Sequence, residues 1–158
     1  MKHIFFVILL LSCFALNGCG GGGGGDNIIV LTPQQQEFAD VVYAFATAVN
    51  DKDKVRAKNL VSSDVENYSP GFLNNLEDFL DNVEEVNFQI NGLGVRFMEE
   101  DIEAEIRADA VITYKWNNNE NTIPETLEIH VKKYGSICGI KLFQKYRNEL
   151  SAFPPVLE

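Results

Sequence analysis

The thiol and imidazole side chains, the softest nucleophiles and metal ligands, are few: Cys13, Cys19, Cys138, His3 and His130. They form no Cys/His cluster of the kind that binds zinc. No Asp-x-Asp-x-Asp-Gly loop is present for calcium. The sequence therefore predicts neither a metal nor a cofactor. Two of the three cysteines crowd the N-terminus. There Lys2 supplies a positive start and Ile4 to Leu16 is an apolar run. Leu16-Asn17-Gly18-Cys19 closes that run, and six glycines, Gly20 to Gly25, follow. The 13 residues from Ile4 to Leu16 are too short for a membrane-spanning helix, which needs ~20. A basic start, an apolar middle and small residues at the end are the parts of an export signal. Cys19 stands where the apolar run stops, so it is the candidate for covalent chemistry.

Leu16-Asn17-Gly18-Cys19 resembles the cleavage site of a bacterial lipoprotein signal. Asn17 departs from the Ala, Ser or Thr usual at its position. The resemblance implies cutting before Cys19, a thioether-linked diacylglycerol on its sulfur and often a third acyl chain. Each buried methylene contributes ~0.8 kcal/mol, so two or three chains hold a protein almost permanently. The expected partner is therefore a membrane, reached through lipid on Cys19, and the expected location is the cell envelope. Gly20 rather than Asp follows the cysteine, which favours the outer over the inner membrane. The organisation that follows is a signal peptide at 1–18, a lipidated cysteine and glycine-rich tether at 19–31, a domain at 32–148 and a tail at 149–158.

Of 158 residues, 140 remain once the first 18 are removed. The tether and the Pro154-Pro155 tail leave enough for one domain with a real core. Loss of Lys2 with the signal takes the net charge from −10 to −11. Nucleic acid is excluded as a partner, since binding it needs a basic surface. Residues 64 to 105 carry 12 acids and one base, Arg96, while 129 to 148 carry Lys132, Lys133, Lys141, Lys145 and Arg147 with no acid. These sets are expected to pair across a solvated sheet face. After processing, Cys138 has no intrachain disulfide partner, and an apolar strand should bury it.

Thr32-Pro33-Gln34-Gln35 is a helix start with a capping box. Phe38, Val41, Val42, Phe45 and Val49 then form one apolar stripe ending near Asp51. A short helix is expected around Lys54 to Leu60. A third should start at Ser69-Pro70, with Leu73, Leu76, Phe79, Leu80 and Val83 facing inwards. The period then changes to two. Val86, Phe88 and Ile90 alternate with polar residues, and Gly92 and Gly94 suggest a bulge. Ile102, Ala104, Ile106, Ala108, Ala110, Ile112, Tyr114 and Trp116 share one face of a long strand. Glu103, Glu105, Arg107 and Asp109 share the other. Asn117 to Asn121 reads as a loop. Leu127, Ile129 and Val131 mark a third strand, with His130 out of phase and outward. Cys138, Ile140 and Leu142 lead the last. Helices followed by antiparallel strands make an α+β protein, with N-terminal helices packed on a curved four-stranded antiparallel sheet.

This order resembles the nuclear transport factor 2-like fold, also called SnoaL-like or cystatin-like. The long helix from Phe38 to Val49, the Phe72 to Val83 segment, the 102 to 116 strand and the ending Tyr134 to Phe143 carry the resemblance. Cys138 stands where the family often has tryptophan. The resemblance implies a cone between helices and sheet that can hold a small ligand, and members include ketosteroid isomerase and scytalone dehydratase beside many non-catalytic domains. It also leaves room for a homodimer paired through the outer sheet face. Tyr43, Phe88, Tyr114 and Trp116 are the candidate ligand-binding residues, since large amphipathic rings line pocket mouths well. Catalysis would need an inward acid or base of shifted pKa. The inward face of the 102 to 116 strand offers only apolar residues before Tyr114, so no catalytic residue is assigned. The expected function is a tethered, non-catalytic domain that binds a small apolar ligand or an envelope protein. The alternative is a small-pocket enzyme of the isomerase or dehydratase kind.

Overall fold

In the computed structural model, which describes residues 30–99 and 101–145, four helices precede four strands. Cys19, the tether up to residue 29 and the tail at 149–158 lie outside the described residues. Helix α1 (Pro33–Asn50) begins as its capping box predicts. The Thr32 N–H donates to Gln35 Oε1 at 2.9 Å, and the Gln35 N–H donates to Thr32 Oγ1 at 3.2 Å. Phe38, Val42, Phe45 and Val49 are fully buried along one face of the helix. Each large apolar side chain so buried contributes ~1.5–3 kcal/mol relative to exposure. Short helices α2 (Lys54–Asn59) and α3 (Val65–Tyr68) follow, then α4 (Phe72–Asn82). The helix expected from Ser69-Pro70 instead starts at Phe72. Gly71 ahead of it takes φ +80°, which suits glycine. Glu66 accepts from the N–H groups of Gly71 and Leu73 at 2.7 and 2.9 Å, supplying the cap that a side chain at Gly71 cannot.

The strands β1 (Glu85–Glu99), β2 (Glu103–Trp116), β3 (Asn119–Tyr134) and β4 (Ile137–Lys145) pair in chain order as an antiparallel meander. The architecture is therefore the expected α+β one, helices on one face of a four-stranded sheet. Register shifts fall between Ile90 and Gly92 in β1 and between His130 and Val131 in the β3–β4 pair. Asn117 and Asn118 both take positive φ, the geometry of a tight two-residue hairpin turn. Asn119 and Asn121, expected in a loop, instead pair with Trp116 and Tyr114. Ile102 was expected on the inward strand face, but it lies in the turn before β2 and is exposed. On the edge of β4, the Ser62 N–H donates to the Ile140 carbonyl at 2.8 Å, and the Ile140 N–H to the Leu60 carbonyl at 2.9 Å. Gly139 lies against Ser62 at this crossing, close enough that even a methyl group would fill the space between them.

Candidate functional site

Between helices and sheet, the concave space is occupied by aromatic rings. The Phe143 ring lies 5.5 Å from Phe45, 6.1 Å from Phe72 and 6.4 Å from Phe88, centroid to centroid. Phe38 meets Phe97 edge-on at 5.7 Å, and Phe79 meets Tyr114 edge-on at 5.5 Å. These are the preferred separations for packed aromatic pairs. The four rings of the Phe143 group come from α1, α4, β1 and β4, so no one element could show the arrangement.

The four candidate ligand residues occupy different environments. Phe88 is core, and its backbone is pinned by Asn50: the Phe88 N–H donates to Asn50 Oδ1 at 2.5 Å, and its carbonyl accepts from Asn50 Nδ2 at 3.1 Å. Tyr114 is buried against Phe79. Trp116 is half-buried at the end of β2, one residue before the Asn117-Asn118 turn. Tyr43 is 43% exposed on α1. The structure thus brings Phe88 and Tyr114 into one core and leaves Tyr43 on the solvent side of its helix. Among the described residues, the buried charged side chains are Glu103 and Glu105, both on the other face of the sheet. Glu125 sits opposite Ala110 in register, at a concave-face position, and is half-buried.

The outer face differs from its expectation. Glu103 and Glu105 were expected on a solvated surface, yet Glu105 is only 6% exposed. Cross-strand register explains this. Arg96, Glu105, His130 and Leu142 stand opposite one another across β1 to β4, and Arg107, Glu128 and Gln144 do so one step along. Arg96 and Arg107 both donate to Glu105, Arg107 Nε at 2.9 Å. Both arginines reach Glu105 from partly exposed positions, so the acid is taken out of water by its own ion pairs. Burial pushes the Glu105 carboxyl up, but the two guanidinium groups outweigh it and hold its pKa below the usual carboxylate value. The extra residue at the β4 register shift is Lys141, whose Nζ donates to both oxygens of Glu103 at 3.0 and 3.2 Å. Its hydrogen bond to Glu103 is the main cause of its raised pKa. His130 faces outward as expected, but is largely covered rather than solvated. Its Nε2 lies 3.0 Å from Glu128, and its Nδ1 lies 4.0 Å from Glu103.

Glu105, Glu128 and His130 each place a donor atom within 4.8 Å of the others, a spacing that could hold a metal ion. Both Glu105 oxygens already take a guanidinium, so a dication would have to displace two charge-assisted bonds. The acidic and basic stretches thus meet through Glu103–Lys141, whereas Lys133 pairs with Glu37 at the start of α1, outside the acidic stretch. Cys138, expected to be buried, is half-buried beside Glu37, 3.8 Å from its carboxylate. Burial first, and then Glu37, push its thiol up, while Lys133 pulls the other way.

Among the described residues no helix is long and apolar enough to cross a membrane. No family model matches the chain, and no curated protein matches it significantly. Solved structures do. A scytalone dehydratase-like protein from Novosphingobium aromaticivorans aligns at 12% identity and TM-score 0.59, over 78% of this chain and 93% of its own. The hexachlorocyclohexane dehydrochlorinase LinA-type3 from Novosphingobium barchaimii aligns at 9% and 0.57, over 72% and 86%. A dehydratase-like protein of the nuclear transport factor 2-like family from Streptomyces avermitilis aligns at 10% and 0.54, over 70% and 93%. At such identities the likeness establishes a shared fold, the helix-filled cone of that family, and nothing of its chemistry.

Proposed function

We propose that the chain is a lipid-anchored envelope protein whose folded domain binds rather than catalyses. The anchor reading rests on Cys19 at the end of the apolar run, with Gly20 favouring the outer membrane. The binding reading is supported by one observation above all: the concave space is filled by Phe45, Phe72, Phe88 and Phe143. Proton-transfer catalysis needs a positioned group of suitable pKa in a water-poor pocket. The buried carboxylates point away from that space and are neutralised by Arg96, Arg107 and Lys141. Contact surfaces then belong to the outside of the domain, whether for an envelope protein or for a second copy of the chain.

The enzymatic reading keeps support from the dehydratase and dehydrochlorinase names of the structural neighbours. It would need Phe79 to part from Tyr114, or a site built on the half-buried Glu125. Expression of Cys19→Ser beside the wild type tests the anchor by detergent partition. The wild type should enter the detergent phase and the variant the aqueous phase. A variant that stays with detergent after its signal is removed contradicts the lipid.

A further inference from the structure

We propose that one end of the domain, the end carrying the β1–β2 and β3–β4 turns, rests in the interface of the membrane that anchors Cys19. The inference extends the lipid-anchor reading and depends on it. Three contacts pin the first turns of α1 to this end. Gln35 Nε2 donates to the Val95 carbonyl at 3.1 Å, the Phe38 ring meets Phe97, and Glu37 pairs with Lys133 at 2.8 Å. The two turns are neighbours, because the Lys133 N–H donates to the Ile102 carbonyl at 2.8 Å. The chain therefore enters the fold beside both turns. The 14 residues from Cys19 to Pro33 reach at most ~50 Å. A lipid on Cys19 would hold this end nearer the bilayer than any other.

The same end is apolar where it meets solvent. Eight large hydrophobic residues are exposed among the described ones, and five gather here: Val30, Met98, Ile102, Tyr134 and Ile137. Ile137 is 68% exposed. The opposite end carries Asn117, Asn118, Asn119 and Glu120 instead. Apolar side chains with a tyrosine among them suit the headgroup–acyl boundary, and Lys132 nearby can reach back to the phosphate layer. Glu99 and Asp101 share the tip, and the exported chain is strongly acidic. The surface it fits is therefore a zwitterionic one, entered through apolar burial and not through charge. The tether raises the local concentration of the tip at the bilayer, so the contact need not be strong alone.

The test uses the mature, lipid-carrying chain in phosphatidylcholine vesicles with brominated acyl chains. The wild type has one tryptophan, Trp116, at the far end, and serves as the distant reference. Ile137→Trp adds a reporter at the exposed start of β4, beside the β3–β4 turn. Brominated lipid should quench the variant's added emission at least twofold more than that of Trp116. Equal quenching of the two, with the protein floating with the vesicles, overturns the proposal and leaves the patch to a protein partner. Failure of the wild type to float at all overturns the anchor itself, and the contact with it.

Discussion

The two faces of β2 follow one alternating pattern and end in opposite chemistry. Ala104, Ile106, Ala108, Ala110 and Ile112 close onto rings from the helices and from β1 and β4. Glu103 and Glu105, one residue out of phase, are buried as well, but under arginine, lysine and histidine side chains. Period-two alternation separates faces; it does not tell which face meets water. On the concave side a second layer of structure does the covering. On the outer side no helix is needed, because Arg96 of β1, Arg107 of β2 itself and Lys141 of β4 pair with the acids. The concave face therefore behaves as core and the outer face as a structured ionic surface.

The sharpest way to break this comparison is Phe143→Ala. If the concave space is core, the variant should lose about 3–5 kcal/mol in urea unfolding, the usual cost of removing a buried ring. A loss under about 1 kcal/mol would mark Phe143 as the wall of a cavity. Glu105→Gln probes the other face and should cost less, about 1–3 kcal/mol, because its Arg96 and Arg107 partners remain partly in water. Acid sensitivity should separate the two variants. The folded pKa of Glu105 lies below its ordinary value of 4.5. Its contribution is thus complete above about pH 4.5 and falls away as pH drops through the lower folded value. Stability measured between pH 5 and 3 should fall less steeply in Glu105→Gln than in the wild type, and an unchanged slope would mean the ion pairs contribute nothing. The smallest effect is expected at Cys138. Thiol labelling near pH 8 should be slow, and Glu37→Gln should speed it several-fold by removing the neighbouring negative charge. An unchanged rate would leave burial alone as the control.

Much of this fold was legible in the residues. The capping box at Thr32, the stripe from Phe38 to Val49 and the alternation from Ala104 to Trp116 each declared an element, because local hydrogen bonding and period dictate them. The turn at Asn117-Asn118 was visible as turn formers, but its length was not, since Asn119 and Asn121 are held in β3 by their partners on β2. The burial of Glu105 was hidden for a similar reason. It depends on Arg96 and His130 arriving opposite it, a cross-strand register that the alternation of β2 alone does not carry. The convergence of Phe45, Phe72, Phe88 and Phe143 likewise belongs to tertiary structure. Sequence reasoning therefore chose Phe88 by its ring alone and could not read its place in the core.

The central claim is that the cone is filled by its own side chains. Methyl-resolved NMR of the folded chain, titrated with small apolar compounds such as indole and phenol, tests it directly. Apolar cavities of sufficient size take up such molecules. The account predicts no saturable shift at the methyls of Ile106, Ala108, Ile112 and Leu127, whose side chains are buried in the core. Saturable shifts at those methyls, lost when the ligand is removed, would show an open interior pocket and return the cone as the binding site, for a small apolar ligand or for the small-pocket enzyme.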